Sequence, residues 1–214
     1  MVVSKHNKIL EMINPDYSKI VIDTAHGPIS TRAAGRLDSD LVIAVHGWSQ
    51  RNGWHTWEPL MTPLSEAGLF VVSLDMPGWG DSPAWIDGPL TAELAVEALI
   101  HVADHFGKER FVVVGKSWGG GVALQCAGDH PTKVTKLVLS APAFRNFDAL
   151  TTLSQPVLLV WAEDDPVIPY KYSAEYLERI PEVVFVTFKS GGHSAAPKNA
   201  EAFAPAAVEF IKGQ

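Results

Sequence analysis

Phe111-Val112-Val113-Val114-Gly115-Lys116-Ser117-Trp118-Gly119-Gly120-Gly121-Val122-Ala123-Leu124 decides how the rest of the chain reads. Its first four residues form an unbroken apolar run, as a strand covered on both faces requires. A run of small and apolar residues follows and reads as a closely packed helix. Between them lies G-x-S-x-G. In a strand–turn–helix context this pattern forces a serine into a strained backbone position with its hydroxyl exposed. Glycine on each side relieves crowding against the neighbouring strand and helix. Ser117 is therefore the candidate nucleophile.

Outward from this turn, apolar runs and helical patterns alternate. Residues 19–23 and 29–33 flank Gly27-Pro28 and read as a β-hairpin. Strands are expected at 41–45, 69–74, 111–114, 136–140, 156–161 and 183–188. Helices are expected at 54–67, 92–106, 118–129, 173–180 and 200–211, and residues 1–18 read as a lead-in with Ile9, Leu10 and Ile13 on one face of a helical turn. Alternating β and α elements give a mostly parallel, doubly wound α/β sheet with helices on both faces. Residues 1–214 fit a single domain, which at this length buries roughly 70% of its unfolded surface.

Composition narrows the function classes. With 17 basic against 24 acidic residues the chain carries a net charge of −7. No basic cluster is present, which argues against nucleic acid or an anionic membrane as partner. The single cysteine, Cys126, cannot form an internal disulfide and reads as a small buried hydrophobe. Residues 1–20 contain no apolar segment of signal-peptide length, and no run approaches a membrane span. A soluble, cytoplasmic protein is expected. The eight histidines are scattered along the chain, only one cysteine is present and no nucleotide-binding glycine pattern occurs, so neither metal nor cofactor is expected.

Ligand sites in such sheets lie beyond the carboxyl ends of the strands. The loops expected there are His46-Gly47-Trp48-Ser49, Asp75-Met76-Pro77-Gly78-Trp79-Gly80-Asp81-Ser82, the Ser117 turn, Ala162-Glu163-Asp164-Asp165-Pro166, and Gly191-Gly192-His193-Ser194. They supply a serine, an acid and a histidine in that order. A serine hydroxyl needs a base within reach to take its proton, and histidine titrates in the range that lets it accept and return one. His193 is the candidate base. A carboxylate must hold the imidazole tautomer, and Asp164 and Asp165 compete for that role.

The H-G loop, the D-x-P-G-x-G-x-S stretch, the G-x-S-x-G turn, W-A-E-D-D-P-V-I-P and the G-G-H ending together resemble the α/β-hydrolase family over nearly the whole chain. The resemblance implies that Asp165, ahead of Asp164, orients His193. It implies an oxyanion hole from the backbone N–H groups of Trp118 and Trp48. It also implies structural work for Asp75 and the Gly78/Gly80 turn, with His46 bracing its loop. Lys116 is expected to face solvent. Trp79, Ser49 and Phe144 are the candidate substrate contacts, the tryptophans suggesting an aromatic-walled pocket for an apolar group.

Many relatives of this kind insert a helical cap where this chain has only residues 141–155, so the pocket is expected to be shallow and uncapped. The likeness is to small lidless, carboxylesterase-like members acting on a small-molecule acyl substrate. Acyl transfer, deacylation and ligand binding by a retained fold stay open as alternatives, as does the oligomeric state.

Overall fold

A computed structural model describes residues 13–86 and 88–213. Eight strands form one sheet: β1 (Ile13–Ile22), β2 (Ile29–Gly35), β3 (Leu41–Val45), β4 (Phe70–Leu74), β5 (Phe111–Lys116), β6 (Val134–Ser140), β7 (Val157–Ala162) and β8 (Val183–Phe188). Their spatial order is β1-β2-β4-β3-β5-β6-β7-β8. β1 pairs antiparallel with β2, and β2 antiparallel with β4. Every other pairing is parallel. The expected mostly parallel α/β sheet is therefore present.

The helices are α1 (Glu58–Glu66), α2 (Ala92–His105), α3 (Trp118–Asp129), α4 (Ser173–Arg179), α5 (Ala195–Lys198) and α6 (Ala200–Lys212). They cover both faces, and strand alternation decides which core each side chain enters. Leu41, Ile43 and Val45 of β3 join one core with Ala95, Leu99 and Val102 of α2 and Val122 and Ala123 of α3. Val42 and Ala44 join the other with Leu60 and Met61 of α1 and Phe203 and Ala207 of α6. All five β3 side chains are buried, which is why β3 reads as an unbroken apolar run.

The lead-in reading needs correction. Ile13 to Ser18 belong to β1 rather than to a helical turn, with an irregularity in register between Ile13 and Ser18. Ile9 and Leu10 lie outside the described residues. As an edge strand with one neighbour, β1 carries a weaker sequence signature than the central strands. Between β6 and β7 the chain forms a loop and one 3₁₀ helix, Phe147–Thr152, and no cap interrupts the described residues. No described helix is long and apolar enough to cross a membrane.

Parallel pairing aligns the carboxyl ends of β3 to β8 along one edge. Val45 lies beside Gly115, Lys116 beside Ser140, Ser140 beside Val160, and Ala162 beside Phe188. Residues far apart in the chain leave the sheet there as neighbours.

Candidate active site

Ser117 leaves β5 with φ 54° and ψ −119°, a left-handed conformation that disfavours any side chain. Three backbone bonds hold it there. Its N–H donates to Ser140 O (2.9 Å), and its carbonyl accepts from Gly121 N (3.1 Å) and Ala143 N (2.8 Å). The flanking glycines are required by space: a Cβ on Gly115 would sit 2.4 Å from Gly119 O, and one on Gly119 would sit 2.3 Å from His46 O. Strand, turn and helix can close this tightly only without those atoms. Trp118 then opens α3, so its N–H has no acceptor within the helix.

The candidate acid and base come from the ends of β7 and β8. His193 Nδ1 lies 2.8 Å from Asp165 Oδ2. The other carboxylate oxygen, Oδ1, accepts from Val167 N (2.8 Å) and Ile168 N (3.0 Å). The Asp165 side chain is fully buried and that of His193 is 18% exposed. Three donors thus fix the carboxylate, which needs an N–H on Nδ1 and so leaves Nε2 as the basic nitrogen. Nε2 is buried and no hydrogen bond engages it.

Asp164 has a separate task that the sequence did not disclose. Its carboxylate accepts from Gly192 N (2.7 Å) and Gly191 N (3.4 Å). Two consecutive acids therefore divide the work, one fixing the loop that carries His193 and the other its ring.

Beside Ser117 lies a cavity of about 530 Å³, walled by Pro142, Phe144, Phe147, Ile168, Tyr172 and Tyr176, with Arg145 at its rim. Tyr176 shapes this wall by donating to Pro142 O (2.7 Å) and accepting from Phe144 N (3.3 Å). Burial pushes its phenol up to about 12, so it remains a donor. Of the candidate substrate contacts, Phe144 lines this cavity, whereas Trp79 and Ser49 do not.

Trp79 is buried, stacks on Trp118 (centroids 5.7 Å, 17°) and meets the half-exposed Trp48 edge-on at 4.8 Å. Its indole N–H donates to Trp48 O at 2.9 Å, so it braces the Trp48 loop. Ser49 is an exposed turn residue whose hydroxyl oxygen accepts from Arg51 N at 3.3 Å. The aromatic wall comes from Phe144 and Phe147 in the loop after β6, joined by Tyr172 and Tyr176 beyond β7, which the sequence did not single out.

His46 is fully buried. Its Nε2 accepts from Met76 N (3.1 Å), so Nδ1 carries the proton and donates to Gly47 O (2.7 Å). Desolvation holds its pKa below the usual imidazole range. A trans peptide points its N–H opposite its carbonyl, so this bond fixes the direction of Trp48 N–H. Asp75 likewise works on structure, accepting from Trp54 N (2.8 Å) and Asp81 N (3.1 Å).

Lys116 departs from expectation. Rather than facing solvent it is buried, with Nζ 3.4 Å from Asn52 Oδ1. Burial pushes its pKa down, with the charge of Lys198 acting the same way and that of Asp165 opposing.

A family model described as alpha/beta hydrolase fold matches residues 40–152. The chain belongs to the α/β-hydrolase family. A second model, TAP-like protein, matches residues 112–213 of this α/β-hydrolase. The AB hydrolase superfamily protein YfhM of Bacillus subtilis is 33% identical over 108 residues, 50% of this chain and 37% of that protein. The proposed carbamate hydrolase RutD of Variovorax paradoxus is 31% identical over 168 residues, 73% of this chain and 62% of that protein. The chain thus matches less than two thirds of the length of these relatives. Among solved structures, a CIB-like hydrolase from Thermoplasma acidophilum superposes with TM-score 0.86 at 23% identity, covering 92% of this chain and 99% of that one, a likeness of fold.

Proposed function

We propose that this α/β-hydrolase is a serine hydrolase that cleaves a small carboxylic ester through an acyl-enzyme on Ser117. The observation that carries the reading is the His193–Asp165 pair at 2.8 Å, whose second imidazole nitrogen is buried and unengaged on the strand edge that also bears the strained Ser117. His193 Nε2 takes the hydroxyl proton as Ser117 attacks the substrate carbonyl, then returns it to the leaving alcohol. Asp165 keeps the proton on Nδ1 and stabilises the imidazolium. Trp118 N–H and Trp48 N–H receive the developing oxyanion, and a preorganised donor of this kind contributes about 2.7–4 kcal/mol. Water, activated by the same histidine, releases the acid.

The cavity favours an apolar or aromatic substituent against Phe144 and Phe147, and RutD's name supports carbonyl hydrolysis as the class of reaction. Labelling with a fluorophosphonate probe and hydrolysis of p-nitrophenyl acetate and p-nitrophenyl benzoate test the reading. Wild type should be labelled at Ser117 and turn over both esters, and Ser117→Ala should lose both signals. Turnover by Ser117→Ala at the wild-type rate would refute it. Absence of both signals in folded wild type would favour a ligand-binding role for the fold instead.

A further inference from the structure

Away from Ser117, on the β1–β2 flank of the sheet, three ligating side chains converge that the proposed chemistry does not use. They are His26, in the turn between β1 and β2, and Glu97 and His101, one helical turn apart on α2. His26 Nε2 lies 3.4 Å from Glu97 Oε1, and His101 Nε2 lies 3.9 Å from the same oxygen. The three ligand atoms all fall within 4.8 Å of one another. Zinc bonds of about 2.0–2.1 Å at tetrahedral angles place ligand atoms about 3.3 Å apart, so small side-chain movements close the set around an ion.

His101 Nε2 is buried and makes no hydrogen bond, since 3.9 Å to Glu97 exceeds bonding distance. A buried imidazole nitrogen without a partner requires an explanation, and it faces a carboxylate and a second imidazole. The backbone and ring of His26 are held in place. Its N–H donates to Thr24 Oγ1 (3.2 Å), its carbonyl accepts from Ile86 N (3.2 Å), and its ring stacks on Trp85 at 4.9 Å. Trp85 is itself buried and meets His101 edge-on at 6.3 Å.

We propose that His26, Glu97 and His101 form a binding site for a divalent late transition-metal ion, with zinc as the fitting ligand. Two neutral imidazoles and one carboxylate suit zinc, and water completes the tetrahedron on the partly exposed side. The ion ties the β1–β2 turn to α2, elements joined here by the His26–Glu97 contact. Because the three ligands come together only in the folded chain, binding adds to the stability of that state.

The test uses tag-free protein stripped with a chelator and desalted, titrated with zinc by calorimetry and with cobalt by visible absorption. One equivalent should bind, raise the melting temperature, and give cobalt the intense bands of a tetrahedral site. His101→Ala, Glu97→Gln and His26→Ala should each weaken zinc binding at least 100-fold, with metal-free melting temperatures close to wild type and unchanged ester turnover. His193→Ala should bind zinc as wild type does. Failure of wild type to bind zinc at 100-fold molar excess overturns the proposal. So does full affinity in His101→Ala, or loss of binding in His193→Ala, which would place the ion beside Ser117.

Discussion

Asp165→Asn isolates the orientation of one proton. The carboxylate accepts three bonds: Val167 N and Ile168 N at Oδ1, and His193 Nδ1 at Oδ2. An amide has one oxygen and one NH2 group. The two backbone donors outvote the single imidazole donor, so the asparagine oxygen stays at the Oδ1 position and its NH2 faces His193. Two donors cannot share that contact. The ring then shifts its proton to Nε2 so that Nδ1 can accept, and Nε2 can no longer take the Ser117 proton at neutral pH. In a working Ser-His-Asp triad this tautomer error costs about 10⁴ in kcat. We expect a 10³- to 10⁴-fold fall in kcat/KM for p-nitrophenyl acetate, about 4–5.5 kcal/mol of lost transition-state stabilisation. Folding and KM should change little, because the amide is isosteric and keeps the Val167 and Ile168 bonds. Asp164→Asn, which keeps an oxygen for Gly192 N, should lose less than tenfold. Asp165→Asn turnover within threefold of wild type, or an equal loss in Asp164→Asn, would refute the assigned division of labour.

Gly119→Ala should destabilise the protein by about 3 kcal/mol in urea unfolding, because its Cβ would meet the carbonyl oxygens of His46 and Val45 at 2.3 and 2.6 Å. Gly128→Ala in the same helix meets nothing within 4 Å and should stabilise by about 0.5–1 kcal/mol; destabilisation by both equally would contradict the packing argument. Burial keeps the folded-state pKa of His46 below its unfolded value of about 6.5, so the unfolded chain binds the extra proton. The contribution of neutral His46 is complete above pH 6.5 and is lost as pH falls toward the folded value. Urea unfolding should show wild-type stability falling up to ~1.4 kcal/mol per pH unit more steeply than His46→Asn below pH 6.5. Parallel slopes would refute this origin.

Much of the fold was legible because β3, β4, β5 and β7 are buried throughout and nearly all apolar, departing only at Ser73 in β4 and at Gly115 and Lys116 in β5. β1 was misread because Asn14, Pro15 and Asp16 interrupt its pattern, a sequence an edge strand tolerates. Ser117 and His193 could be singled out because their glycine contexts have local physical causes. Asp165 was favoured over Asp164 only through the family resemblance, and the task of Asp164 was not legible, since both are polar loop residues and only the path of the backbone decides which faces the imidazole. The tryptophans of the strand-end loops mimicked a pocket lining, whereas Trp79 spends its surface bracing Trp48. Glu97 and His101 stood at helical spacing in plain view, but their third partner lies more than seventy positions upstream of Glu97, a pairing that no periodicity reveals.

The short passage between β6 and β7 marks where this scaffold can lengthen without disturbing Ser117. Ala143 N–H secures Ser117, Tyr176 secures Pro142 and Phe144, and Leu150 is sealed in the core. Between those anchors, residues 145–149 bear no bond to the strained serine. Lengthening the chain inside that window would roof the cavity while leaving Ser117, Asp165 and His193 where they stand, so the shape of the pocket can be altered by insertion at one surface stretch.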